Sequence, residues 1–234
     1  MNKIRLDRLL SQATVLSRKQ ARGQIKARKV SCDGEMLTDP GLLIDESSVL
    51  RWRGESIALR GPIYLMMHKP AGLVCATQDR DEATVMSLLP EEWLEKLHIV
   101  GRLDKDTTGF LLLTDDGGWS HRVASPKYQS AKTYRVFLVD DLCTEAEEAF
   151  AEGIMLRGEK KPTLPAELQR IKAREVLLTI HEGRYHQVKR MFAALNNRVE
   201  RLHRECIGGL TLDATLAPGQ WRELSVEEVE AIFL

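Results

Sequence analysis

Apolar residues near the start of the chain recur at helical spacing, and farther along they gather into runs of strand length. Leu6, Leu9 and Leu10 share one face of a short first helix. Ser17 is placed to cap a second helix from about Arg18 to Ala27, whose apolar side is Ala21 and Ile25. Val30–Cys32 and Met36–Leu37 flank Asp33-Gly34, a pair whose backbone preferences close a tight hairpin. The glycine-punctuated stretch from Arg53 to Pro62 reads as a linker. Beyond it, apolar or β-branched runs predict strands at 63–67, 73–77, 98–100, 110–114, 133–139, 176–180 and 199–202. Tyr185 to Leu195 reads as a helix with Val188, Met191, Phe192 and Leu195 on its buried side, and Ser225 with Glu228 forms a capping box before a last helix. Many strands with few interleaved helices indicate an α+β fold rather than a doubly wound sheet. The expected division is a small domain over residues 1–60 and a larger one over 61–234.

Composition narrows the classes. The 234 residues are 43% hydrophobic, enough for a real core, and carry zero formal net charge. The charge is unevenly spread. Residues 1–30 hold nine Lys or Arg against Asp7, 9 − 1 = +8, and residues 184–204 hold six against Glu200, 6 − 1 = +5. Two separated basic stretches suit one extended polyanion, although solvated helix faces give the same count. On the second helix Lys19, Arg22, Lys26 and Lys29 fall at a spacing that makes a continuous cationic stripe. No stretch reaches the roughly 18 apolar residues of a membrane span, and the start has no apolar signal segment, so a cytoplasmic protein is expected. Cys32, Cys75, Cys143 and Cys206 are widely spaced, which fits free thiols and argues against a zinc site. His186 and His203 lack clustered partners, and we expect them to bond backbone or phosphate; Trp119 and Trp221 read as packing.

The densest candidate for chemistry is "VGRLDKDTTGFLLLTDDG", residues 100–117, a polar loop between two apolar runs. A carboxylate at the end of a buried strand is held rigidly, and flanking glycines let a substrate approach the backbone. Spacing alone favours a structural ion pair of Arg102 and Asp104 closing the loop, with Asp106 to Thr108 as a turn.

Four segments in order carry a family resemblance: "HKPAGLVCAT" (68–77), "GRLDKDTTGFLLLTDDG" (101–117), "KTYRV" (132–136) and "EGRYHQVKRMF" (182–192). They resemble the pseudouridine synthases that act on ribosomal RNA. The leading "RLDRLLSQATVLSRKQARGQIKARKVSCDGEML" (5–37) resembles the S4 RNA-binding module. That order, with "LHRECIGGLTLDATLAPGQWREL" (202–224), is most similar to the small-subunit branch of the family. His68 stands where the family more usually has Asn, and Cys206 where Arg is expected.

The resemblance implies an S4-like domain followed by a catalytic domain built on a mixed, mainly antiparallel sheet. It implies Asp104 as the essential carboxylate, Tyr134 as the active-site tyrosine and Lys189 as the cation beside Asp104, with Arg184 and Arg102 as lesser candidates for that partner. RNA contacts are expected from Arg18, Lys19, Arg22, Lys26, Lys29, Arg102, Arg184 and Arg190. The implied substrate is a specific uridine of 16S rRNA, by resemblance uridine 516, met in free rRNA or in a small-subunit assembly intermediate, by a protein expected to be a monomer.

The reaction breaks N1–C1′, turns the base and joins C5 to C1′. No electron or group is gained, so no cofactor or metal is called for. A carboxylate can attack carbon or stabilise cationic character at C1′, and a nearby cation favours its charged form. The uridine must first leave its stack and meet a flat side chain, the part assigned to Tyr134. Arg102 either fills the vacated position or braces the loop. A non-catalytic RNA-binding ribosome-assembly factor, or a base-removing glycosylase, would use much of the same machinery.

Overall fold

The computed structural model describes residues 3–14, 16–45, 48–57, 61–125, 128 and 130–234. The chain forms two compact units: Met1–Ile63 with Leu89–His98 and Thr114–Asp116, and Tyr64–Leu88 with Ile99–Leu113 and Gly117–Leu234.

In the first unit the elements are β1 (Lys3–Arg5), α1 (Leu6–Ala13), α2 (Arg18–Lys26), β2 (Val30–Cys32), β3 (Glu35–Leu37), β4 (Leu43–Asp45), β5 (Leu50–Trp52) and β6 (Glu55–Ser56). Leu6, Leu9 and Leu10 of α1 pack on Ala21 and Ile25 of α2, with Val30 and Leu50 completing the core. Ser17 caps α2 in a full capping box with Gln20. Asp33 (φ 49°) and Gly34 (φ 90°) both take left-handed backbone, as the tight β2–β3 turn requires. The strands β3-β2-β5-β6 form their own sheet, and β1 pairs with β4.

Two expectations need correction here. The helix ends at Lys26, and Arg28 turns the chain at φ 56°, so that Val30 can enter the core. Lys29 therefore lies beyond the helical stripe. Arg53 and Gly54 turn β5 into β6 with positive φ, so the stretch read as linker begins as a hairpin. Its residues 58–60 lie outside those described.

The second unit is built around a sheet of β7 (Tyr64–Lys69), β8 (His98–Val100), β9 (Thr108–Thr114), β10 (Lys132–Leu138), β11 (Glu167–Lys172), β12 (Glu175–Ile180), β13 (Val199–Ile207), β14 (Leu210–Thr211) and β15 (Trp221–Glu223). The helices are α3 (Gly117–Ala124), α4 (Ala146–Glu152), α5 (Gln187–Ala194) and α6 (Val226–Ala231). Strand order is β11-β12-β10-β13-β9-β7-β15, with β14 on β13 and β8 on β9. The pairs β11–β12, β12–β10, β10–β13 and β7–β15 are antiparallel, whereas β13 and β9 run parallel, giving a mixed sheet. Phe110 to Leu113 of β9 are buried on both faces, which explains that unbroken apolar run. In β10 and β12, Tyr134, Val136, Leu138, Val176, Leu178 and Ile180 alternate inward.

The segment 73–77 is not a strand; it makes one bridge, Val74 to Thr84. The strand expected at 199–202 continues to Ile207. The sequence reading passed over α3, α4 and β11. Most β11 side chains are exposed, so no alternating pattern marks it. Among the described residues no helix is long and apolar enough to cross a membrane.

Candidate active site

Where β9 meets β13, Thr108 and Gly109 face His203 and Arg204. Gly109 sits at φ +106°, and a Cβ there would lie 2.3 Å from the Arg204 carbonyl oxygen. Glycine is thus the residue that lets the two strands meet. Immediately before it, the loop 101–107 joins β8 to β9 and carries Asp104.

Lys69, the last residue of β7, holds that loop from beneath. Its side chain is fully buried, and Nζ donates to the carbonyls of Pro70 (2.9 Å), Thr107 (2.8 Å) and Lys105 (3.2 Å). Burial lowers the Lys69 pKa. Gly72 N–H also donates to the Lys105 carbonyl (2.8 Å), and Leu103 N–H to Cys75 Sγ (3.3 Å). The Asp104 carboxylate therefore stands on a backbone tied at several points.

Its partners come from the start of α5. Lys189 Nζ lies 3.2 Å from Asp104 Oδ2 and 2.6 Å from Asp106 Oδ1, and His186 Nε2 lies 3.4 Å from Asp104 Oδ1. Burial alone would pull the Lys189 pKa down, but the two carboxylates outweigh it and the pKa is raised. The hydrogen bond from Lys189 holds the Asp106 carboxyl below its usual range. His186 reaches this position from a left-handed backbone (φ 49°), its ring stacked on Tyr185 at 3.8 Å between centroids. The Arg102–Asp104 ion pair that spacing alone favoured does not form; Arg102 is exposed, with no ion pair or hydrogen bond among the described residues.

Asp104, Lys189, His186 and Arg102 line a cavity of about 560 Å³ that Tyr134, Lys132 and Arg204 also line. Tyr134 comes from β10 and is 7% exposed. It faces Arg204 across the β10–β13 pairing, and Arg204 Nη1 donates to the Tyr134 hydroxyl at 3.4 Å. Burial, reinforced by repulsion from Arg204, lowers the Lys132 pKa to about 8.

The structure thus brings Asp104, Tyr134, Lys189 and Arg102 to one cavity. Arg184 lines it too, but its guanidinium donates to Glu182 (3.0 Å) and to the carbonyls of Lys161 (2.8 Å) and Pro162 (2.6 Å). Arg190 is similarly engaged by Glu159 (3.0 Å) and the carbonyls of Tyr185 (3.0 Å) and Arg157 (2.8 Å). In the first unit Arg18 and Arg22 contact Asp7 at 3.3 and 2.7 Å, while Lys19, Lys26 and Lys29 are exposed. Sequence reasoning missed His186, Lys69, Lys132, Asp106 and Arg204. Nothing in the sequence marks Arg204, because its strand also carries Glu200, Arg201, His203 and Glu205. His186 was expected to bond backbone or phosphate, and the turn before α5 brings it to a carboxylate instead.

The family model for RNA pseudouridylate synthase matches residues 63–194, and the S4 domain model matches residues 4–50. The chain belongs to the RNA pseudouridylate synthase family. The synthase is 52% identical to ribosomal small subunit pseudouridine synthase A of Vibrio cholerae, over 98% of this chain and 100% of that one. It is 46% identical to the Escherichia coli K12 protein of the same name, with the same coverage. A crystal structure of a pseudouridylate synthase superposes with a TM-score of 0.72 at 43% identity, covering 98% of this chain and 99% of the other.

In this synthase the two departures from the family pattern lie outside the cavity lining. His68 Nδ1 meets the Leu216 carbonyl at 2.7 Å, and Cys206 Sγ meets Thr211 Oγ1 at 3.4 Å. His203 bonds the Thr108 hydroxyl at 2.8 Å, and Trp119 is core.

Proposed function

We propose that this synthase converts one uridine of 16S rRNA, uridine 516 by resemblance, to pseudouridine in the cytoplasm, with Asp104 as the carboxylate that acts at C1′. The observation that carries the reading is the pairing of Asp104 with Lys189 at 3.2 Å in a cavity that Tyr134 also lines. The two other carboxylates of that cavity fit the role less well. Asp79 is exposed and caps its own turn, accepting from the Asp81 and Glu82 amides at 3.0 Å. Glu182 is occupied by Arg184, Gln187 and the Leu164 amide.

The uridine leaves its stack and enters the cavity, where Tyr134 forms part of the wall. Asp104 then attacks C1′ or stabilises its positive character while the base detaches and turns. Lys189, 3.2 Å away, orients the carboxylate. The exposed Lys19 and Lys26 of α2, with Lys29 after it, hold RNA phosphates, and the partly engaged Arg18 and Arg22 add to the same field. Arg102, exposed and unpaired among the described residues, contacts RNA at the cavity. Arg184 and Arg190 serve RNA indirectly, by shaping the segment 157–162. The small-subunit names of the relatives at 46–52% identity support the choice of rRNA.

Carbodiimide mapping of pseudouridines in rRNA, from cells with and without the gene, tests this. Loss of one small-subunit site is the expected result. An unchanged map accompanied by a subunit-assembly defect would instead favour a non-catalytic assembly factor, and an abasic product would favour a glycosylase.

A further inference from the structure

Arg204 is 2% exposed, yet no carboxylate pairs with it among the described residues. Its Nε donates to the Phe110 carbonyl at 2.7 Å and Nη1 to the Tyr134 hydroxyl at 3.4 Å. Its Nη2 is buried with no hydrogen-bond partner among the described residues. Lys132 lines the same cavity, and its ammonium donates to the Ser130 carbonyl at 2.6 Å with no carboxylate partner among the described residues. Removing two neighbouring cations from water without a counter-ion is costly, and burial with mutual repulsion already pulls the Lys132 pKa down. Such an arrangement fits a ligand that brings negative charge to it.

An RNA phosphate is a poor match. Asp104, the carboxylate assigned to the sugar, is 28% exposed and Arg204 only 2%, so Arg204 is the more enclosed of the two. A base flipped past the ribose reaches farther in than the backbone that carries it.

The negative charge is supplied by the reaction itself. When N1–C1′ breaks, its electron pair leaves with the base, giving a uracil anion whose charge is shared by N1, O2 and O4. C1′ is left electron-poor, met by the Asp104 carboxylate. C5 then gives an electron pair to C1′, the C5 proton is lost, and N1 takes up a proton, so the product has the formula of the substrate.

We propose that Arg204 and Lys132 form a cationic floor to the cavity that stabilises the uracil anion released on glycosidic cleavage. This rests on the pseudouridine-forming reading above. Arg204 Nη2 supplies the free donor to a uracil carbonyl oxygen, and Lys132 adds charge to the same side. Fixed donors aimed at developing charge act mainly in the transition state, so they affect rate more than affinity.

The test compares single-turnover rates of the full chain, at saturating enzyme, on small-subunit rRNA carrying uridine or 5-fluorouridine at the target. Fluorine withdraws electrons and makes the base a more stable anion, so cleavage needs the floor less. The readout is chromatographic loss of the intact parent nucleoside from digested RNA.

Arg204→Gln is expected to slow the uridine RNA by about 100-fold, with RNA affinity within severalfold of the parent. On the fluorinated RNA its defect should be at least about tenfold smaller, and Arg204→Lys should recover part of the rate. Equal losses on both RNAs by a well-folded variant would overturn the proposal, as would a loss confined to RNA affinity. Should Arg204→Gln fail to fold, Lys132→Met leaves the Arg204–Tyr134 contact in place and must show the same dependence on the leaving base. A parent enzyme that leaves both RNAs unaltered would overturn the underlying reading and the floor with it.

Discussion

Replacing Asp104 by Asn separates a chemical role from a structural one, because the structure bounds what Asn can do to stability. The side chain is 28% exposed and meets Lys189 at 3.2 Å and His186 at 3.4 Å. Asn is nearly isosteric, and Lys69 continues to pin the loop from below through Pro70, Lys105 and Thr107. Lys189 also keeps Asp106 at 2.6 Å, so the substitution strands no unpaired charge. For a part-exposed pair the stability loss should be at most about 1 kcal/mol, or roughly 2–4 °C in Tm for a chain of this size. Turnover behaves differently. Asn can neither attack C1′ nor offset positive charge there, so a loss of at least about 1000-fold is expected, roughly 4 kcal/mol of transition-state stabilisation. RNA affinity should stay within severalfold. Tritium release from C5-labelled uridine RNA, filter binding and a melting curve measure the three quantities. Near-normal turnover per folded molecule would refute the mechanism, most decisively if accompanied by a drop in Tm larger than that bound.

Three more outcomes follow from the geometry. Lys19→Ala with Lys26→Ala should weaken RNA binding and flatten its log–log salt dependence by about 0.7–0.9 per lost contact; an unchanged slope would mean that the stripe touches something other than phosphate. Gly109→Ala would put Cβ 2.3 Å from the Arg204 carbonyl oxygen at φ +106°, costing about 3 kcal/mol in urea denaturation along with most activity, since Asp104 and Arg204 flank the junction. Burial pushes the fully buried Asp7 carboxyl up, but hydrogen bonds from Arg5, Arg22 and Arg18 outweigh it and hold the group well below its usual range. That stabilisation is present above the unfolded value of about 3.9 and is lost as pH falls through the folded one. Protection of the α1 and α2 amides, taken relative to intrinsic exchange at each pH, should therefore fall below about pH 4, and Asp7→Asn should remove this acid dependence while costing on the order of 2 kcal/mol at neutral pH.

Much of the local structure was legible because neighbouring residues decide it. Ser17 and Gln20 close their capping box within one turn, and Asp33-Gly34 sets its own turn through backbone preference. The alternation along β10 and β12 and the solid apolar run of β9 follow from how many faces each strand buries. Where burial is slight, as along β11, no pattern exists to read. The candidate chemistry was legible at Asp104, Tyr134 and Lys189 because ordered motifs resemble a family.

Apart from the Lys189–Asp104 pair, which the family resemblance supplied, charge partnership was not legible, because a charge selects its partner by distance in space. Lys189 meets Asp104 only once α5 has docked beside the loop 101–107, whereas Arg102, two residues from Asp104, points to no partner. Arg184 and Arg190 looked free in the sequence, yet the fold supplies Glu159, Glu182 and a row of carbonyls to engage them. Lys69 and Arg204 look like ordinary surface cations in a list of residues. Only the sheet order, which sets β7 and β13 on either side of β9, buries both of them around the site. Sequence decides which residues can carry charge and which must be hidden; the tertiary fold decides which charges meet, since Coulomb energy and desolvation depend on separations and burial that exist only after the strands have paired.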